Sequence, residues 1–163
     1  LGVEGIERSL KILHEAGLPV VPHVLVGLHY GRIRGEFEAL KLISRFNPKA
    51  VIIIVFIPLR GTLMEKYTPP KPEDVAKIIA YARFLFPSKP IALGCARPTG
   101  SHRVKTDMLA VKAGVNAITL PSREAVHLAE SLGFKPLFIP TCCSQIYNDI
   151  SSTNLEGKAE SNE

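Results

Sequence analysis

The side chains best suited to chemistry in this 163-residue chain stand just after its most apolar runs. Four stretches rich in β-branched and aliphatic residues, 20–26, 50–57, 91–95 and 115–120, each lead into a Gly/Pro/basic turn. The first gives Gly27-Leu28-His29-Tyr30-Gly31, and the second gives Pro58-Leu59-Arg60-Gly61-Thr62. The third gives Ala96-Arg97-Pro98 with His102 and Arg103 close behind, and the fourth gives Pro121-Ser122. These loops are basic and almost free of carboxylates. Arginine engages a carboxylate through a planar two-point fork, so Arg60 from the second run and Arg97 and Arg103 from the third are candidates for holding a small anionic substrate. His29, Tyr30 and His102 are placed to enter the same cleft. Gly27 and Gly31 would let backbone approach a flat ligand, but their GxxxG spacing lacks the lysine of a phosphate loop.

Three cysteines complete the reactive inventory. Cys95, at the end of its run, is expected to be a small buried hydrophobe. Cys142 and Cys143 are adjacent, and no CxxC or paired His/Cys spacing accompanies them, so neither a disulfide framework nor a metal site is expected.

The elements that position these loops follow from periodicity. Val3, Ile6, Leu10 and Leu13 recur at helical spacing, and Gly17 followed by Pro19 stops a helix over 3–16. Phe37, Leu40, Ile43 and Phe46 mark a second helix. A third enters at Pro72, with Glu73 and Asp74 at the positive end of its dipole, carries Val75, Ile78, Ile79, Ala82 and Leu85, and ends at Pro87. A fourth runs through Val104, Met108 and Val111 to Gly114, and a fifth spans 122–132. A short extended run at 136–140 follows, and from 148 to 163 the chain is polar and expected to be disordered. Strands alternating with helices at this spacing are βαβ units. The expectation is an α/β fold, a partial (half) TIM-type (β/α) barrel over 1–147 with parallel strands and its chemistry on the loops leaving the strands' carboxyl ends. A full barrel needs about 250 residues and the chain opens on Leu1, so it reads as a fragment or a split half.

The balance of +5 is spread over helices without a basic run, which argues against nucleic acid. Hydrophobic residues at 46% suit a parallel sheet covered on both faces. No run reaches membrane-spanning length and no signal peptide opens the chain, so a cytoplasmic location is expected. The open sheet exposes edges at 20–26 and 115–120 and an inner face without an opposite wall. Self-association, or binding of a separate amino-terminal half, is therefore expected.

Six segments in order carry a family resemblance: Ser-Leu-Lys-Ile-Leu-His-Glu-Ala-Gly-Leu, Val-Leu-Val-Gly-Leu, Val-Phe-Ile-Pro-Leu-Arg-Gly-Thr-Leu, Tyr-Ala-Arg-Phe-Leu-Phe-Pro, Gly-Cys-Ala-Arg-Pro and Ala-Gly-Val-Asn-Ala-Ile. Over residues 3–134 the chain resembles the carboxy-terminal half of radical S-adenosylmethionine enzymes of the biotin synthase type. The resemblance implies strands five to eight of a radical-enzyme barrel, acting by hydrogen abstraction with a 5′-deoxyadenosyl radical. It implies that Gly27 and Leu28 lie against the adenine of S-adenosylmethionine, with Ile57 and Pro58 contacting it from another side. Arg97 falls where biotin synthases carry an arginine that ligates a second, sulfur-donating cluster, and here it is equally suited to a substrate carboxylate. The family's CxxxCxxC is absent, so the [4Fe-4S] cluster would be held by an amino-terminal half, in the same or a separate chain. His29-Tyr30 replaces the glutamate that commonly follows the fifth-strand glycines, a departure from ordinary biotin synthases. Two other readings stand beside this one. An aldolase or phosphate-binding barrel half is disfavoured, because no lysine sits at a strand end and Pro121-Ser122-Arg123 lacks a glycine cradle. The other is a non-catalytic half barrel that assembles with a partner chain.

Overall fold

The most apolar run, Val-Ile-Ile-Ile-Val, becomes an inner strand of a four-stranded parallel sheet in the computed structural model, which describes residues 2–150. The order of elements is α1 (Val3–Glu15), β1 (His23–Val26), α2 (Glu36–Ser44), β2 (Val51–Val55), α3 (Pro72–Leu85), β3 (Ile91–Leu93), α4 (Gly100–Ala113), β4 (Ala117–Ile118) and α5 (Arg123–Ser131). A 3-10 turn, Cys143–Gln145, runs into a helical stretch at 146–150. The strands lie in sequence order β1-β2-β3-β4, each pairing with the next. Val26 sits opposite Val55, Ile53 opposite Leu93, and Leu93 opposite Ile118. A parallel arc with a helix after each strand is the partial (β/α) barrel expected from the sequence.

Alternation along the strands sorts side chains onto two faces. Val24, Val26, Val51, Ile53, Val55, Ile91 and Leu93 join Leu40, Ile43, Val75, Ile78, Ile79, Ala82 and Ala110 of the helices in the main core. Full burial of a Val, Leu or Ile side chain is worth about 1.5–3 kcal/mol, so this layer holds the domain together. On the opposite face Ala50, Ile52 and Ala92 are buried against Cys143 and Ile146, with Ile54, Ala117, Tyr147 and Ile150 packed around them. The inner face therefore has a cover of its own, supplied by the carboxy-terminal segment, where the sequence led us to expect an uncovered wall.

Element bounds differ from expectation where the hydrogen-bond ladder runs out. The first run is apolar from residue 20, but Pro22 has no N–H to give and the strand begins at His23. The second run, expected over 50–57, is strand only over Val51–Val55, because β1 ends at Val26. The sheet narrows to Ile91–Leu93 in β3 and Ala117–Ile118 in β4. The extended run at 136–140 joins no strand among the described residues. Pro136 and Pro140 lack donors, and every residue from 131 to 140 is exposed. The polar tail was expected from 148, but residues 148–150 continue the helical stretch, and 151–163 lie outside the described residues. No helix among the described residues is long and apolar enough to cross a membrane.

Candidate functional site

Two loops leaving neighbouring strands build a strand-end cleft that carries expected residues. The turn after β1 is fixed by Gly31 N–H donating to Gly27 O at 2.8 Å and Arg32 N–H to His29 O at 2.9 Å. This turn holds Tyr30 at a backbone φ of +53°, a left-handed conformation that costs a bulky side chain about 1–2 kcal/mol. It is clamped to the β2–α3 loop by glycine contacts. A Cβ on Gly31 would fall 1.9 Å from Thr68 O, and one on Gly27 would fall 2.7 Å from the Pro70 ring. The glycines were expected to let a ligand approach the backbone. In the fold it is another loop of the same chain that uses this space.

Between the clamped loops His29, Tyr30, Gly31, Arg32, Lys66, Tyr67 and Thr68 line an open cleft of about 440 Å³. The Tyr30 and Tyr67 ring centroids are 4.8 Å apart with planes tilted by 46°, and His29 meets Tyr30 edge-on at 5.0 Å. Arg34 Nη1 donates to His29 Nε2 at 3.2 Å, so the ring's own proton sits on Nδ1. A larger hollow, about 570 Å³, lies on the helical side between α1 and Arg45–Phe46, lined by charged side chains and away from the strand ends.

Glu36 anchors this loop, a role the sequence did not reveal. It is buried at 4% exposure, and its two carboxylate oxygens accept the N–H of Gly27 at 2.8 Å and of Arg34 at 2.6 Å. Glu36→Gln would turn an NH₂ group toward one of these donors. Leaving a buried N–H without an acceptor costs about 1–3 kcal/mol. Hydrogen exchange should show the amides of 27–34 opening about ten-fold faster or more in this variant, with α3 and α4 unchanged.

The remaining expected ligand groups are placed otherwise. Arg97 is buried, its side chain fully inaccessible. Nε and Nη2 donate to the Asp107 carboxylate at 2.7 and 3.1 Å, Nη1 to Gly94 O at 2.7 Å, and Nη2 also to Leu120 O at 3.2 Å. The fork expected to clamp a ligand is thus already filled by the protein. Arg103 donates to Leu120 O as well and lies 4.0 Å from Asp107 Oδ2. Leu120, at φ +50°, turns its carbonyl into this pair of guanidinium groups. His102 Nε2 donates to Pro70 O at 2.8 Å, since a carbonyl can only accept, and Thr106 hydroxyl donates to its Nδ1 at 3.2 Å. His102 therefore pins the β2–α3 loop to α4. Arg60 is exposed on a separate turn, held by Gly61 N–H donating to Glu65 at 2.7 Å. Of the four cofactor-contact residues, Leu28 and Ile57 are exposed at adjacent strand ends, Pro58 is half-buried and Gly27 is buried.

Cys95 is exposed, contrary to the expectation of burial; it lies past the end of β3, between Gly94, whose N–H donates to Ile53 O, and Ala96, whose carbonyl accepts from Val55 N–H. Cys142 Sγ lies 3.9 Å from Cys143 Sγ. Hydrogen bonds from the Ser144 backbone and hydroxyl pull the Cys142 thiol below its ordinary value, whereas burial, followed by the neighbouring Cys142, pushes Cys143 up.

Comparison with known proteins places this arrangement. The Biotin and Thiamin Synthesis associated domain matches residues 43–157. Biotin synthase of Zymomonas mobilis subsp. mobilis is 28% identical over 113 residues, 68% of this chain and 33% of that protein. Biotin synthase of Gloeobacter violaceus is 26% identical over 141 residues, 79% of this chain and 43% of that protein. Biotin synthase of Neorickettsia sennetsu is 30% identical over 114 residues, 68% and 34%. The chain thus spans less than half the length of these curated relatives. The matches agree with the biotin synthase-type resemblance read from the six sequence segments. With a parallel sheet in sequence order and the domain match running over most of its length, the chain belongs to the biotin and thiamin synthesis associated domain family.

Proposed function

We propose that this chain forms the cofactor- and substrate-facing wall of a biotin synthase-like radical S-adenosylmethionine enzyme. The observation that carries this reading is the pair of apolar side chains standing free where two neighbouring strands end. Leu28 is 62% and Ile57 37% exposed. They follow β1 and β2 closely, just past the paired Val26 and Val55. Exposed aliphatic groups following neighbouring strands on the chemistry-bearing end of a barrel suit the flat face of an adenine ring. When bound, S-adenosylmethionine supplies a 5′-deoxyadenosyl radical on reductive cleavage. The chain's own work is to exclude water from one face of that cofactor through Leu28 and Ile57 and to hold the β1 loop still through Glu36.

The thiols do not fit the four-iron cluster that such chemistry uses. Four-iron clusters are held by thiolates, and the adjacent Cys142 and Cys143 sit on the inner-face cover. Among the described residues no three His, Cys, Asp or Glu side chains converge as metal ligands. The reducing centre then comes from another segment or chain, which the open edge at β1 is suited to receive. The partner and the small anionic substrate are part of this proposal.

Titration of the ¹⁵N-labelled chain with S-adenosylhomocysteine, followed by amide shifts, tests the reading. Shifts centred on Leu28 and Ile57 are expected, with Leu28→Asp weakening binding about ten-fold or more, since a carboxylate beside an apolar ring face is poorly solvated. Unmoved amides at these positions up to millimolar ligand would overturn it. Anaerobic reconstitution of the same chain should give well below one four-iron cluster per molecule by iron analysis.

A further inference from the structure

The cleft between the β1 and β2 loops has a chemical bias of its own. Its walls are aromatic and its rim is cationic. Tyr30 and Tyr67 are 49% and 42% exposed, so both keep ring surface free despite touching each other, and their 46° tilt holds the faces splayed. Arg32 and Lys66 line the same cleft. Neither is paired with a carboxylate among the described residues, whereas Lys11, Lys77, Lys105, Arg45 and Arg97 all are. No acidic side chain lines the cleft.

The backbone adds an independent sign. Tyr30 occupies a left-handed conformation that glycine would adopt without strain. Bulky residues kept in such conformations cluster at binding and catalytic sites. The strain places a ring at the cleft, and Gly31 lets the loop lie so close to Thr68 O that an added Cβ would fall 1.9 Å from it.

We propose that this cleft is a subsite for a planar aromatic group bearing an anionic substituent, the ring packed on the exposed ring surface that Tyr30 and Tyr67 share and the charge directed to Arg32 and Lys66. Tyrosine faces carry the negative part of the ring quadrupole, so the ligand ring meets them edge-on or offset while its anion points away toward the cations. A saturated ring of the same size forfeits that term. The inference deepens the proposed function by naming a substrate class, and rests on it only for the identification of the ligand as substrate. Binding itself is a property of the cleft.

The probe is 2-naphthoate, with decahydro-2-naphthoate as its saturated counterpart and inorganic phosphate as the bare anion, each titrated into the ¹⁵N-labelled chain. Naphthoate should move the amides of 29–32 and 66–68. Aromatic pairs are worth about 0.5–1.5 kcal/mol beyond area, so the saturated acid should bind about five-fold more weakly, as should naphthoate to Tyr67→Leu. Phosphate should be weaker still. The combined Arg32→Ala and Lys66→Ala variant should lose about ten-fold.

Tyr30→Gly separates a binding ring from a structural one. It relieves the strained backbone, so the variant should be as stable as the parent or more so in thermal unfolding while naphthoate affinity falls. Equal affinity for the two ring acids, shifts centred away from 29–32 and 66–68, or a Tyr30→Gly variant that is destabilised yet binds unchanged would each overturn the proposal. The S-adenosylhomocysteine titration reads Leu28 and Ile57 instead, so either result stands without the other.

Discussion

Asp107→Ala is expected to lower the unfolding free energy by about 3–5 kcal/mol, the range found when one member of a buried ion pair is removed. Asp107 and Arg97 are both wholly inaccessible. The carboxylate takes two bonds from Arg97 and the N–H of Ser122 at 2.8 Å, so it joins the end of β3, the middle of α4 and the start of α5. Removing it strands a guanidinium in the core and leaves the Ser122 amide without an acceptor. Replacing both charges, Arg97→Met with Asp107→Leu, should recover much of the loss, because the desolvation of the pair is then avoided. Urea denaturation of the three variants measures this. A loss below about 1 kcal/mol for Asp107→Ala, the scale of an exposed ion pair, would show that the site admits water.

The second large effect is expected at Arg83. Its guanidinium donates to the carbonyls of Phe86 at 3.0 Å, Pro87 at 3.2 Å, Lys89 at 3.0 Å and Gly114 at 2.8 and 3.0 Å, and to Asn116 Oδ1. One cation thus satisfies the carboxyl ends of both α3 and α4, where helix dipoles favour positive charge. Arg83→Met should cost about 2–3 kcal/mol, because hydrogen bonds to a charged group are worth about 1.5–3 kcal/mol and part of the loss is recovered by water. Arg83→Lys should restore less than half of it, since an ammonium cannot span acceptors that the planar fork reaches together. Thermal unfolding would check both. Full rescue by lysine would mean that charge alone matters there.

Periodicity made the α/β alternation legible. The spacing of Val75, Ile78, Ile79 and Ala82 placed α3 with its start at Pro72, and all four are fully buried. The polar interior was not legible, because a sequence does not show which donor a side chain will meet. Arg97 stood at a strand end where a ligand clamp belongs, and only the position of Asp107 reveals that the fork is used internally. A trace existed: Asp107 lies on the apolar stripe of Val104, Met108 and Val111, where an acid has to be buried and paired. Glu36 was similarly marked, as the first carboxylate after a loop that otherwise lacks them. The cleft was half legible. His29 and Tyr30 were read from their loop, whereas Tyr67 and Lys66 come from the β2–α3 loop, which the turn at Gly61 and the prolines at 69 and 70 fold back in a way no local pattern encodes.

The cover on the inner face gives the chain an order of events. Every strand pairs with the strand of the next unit, so sheet and helices can form progressively as the polypeptide emerges, with modest loop closures at each step. Cys143 and Ile146 reach Ala50, Ile52 and Ala92 only across a long stretch of chain, a distant closure. During synthesis Ile52 and Ala92 therefore stay wet until that segment arrives, and a ribosome-bound or truncated chain would present them to chaperones after the rest had folded.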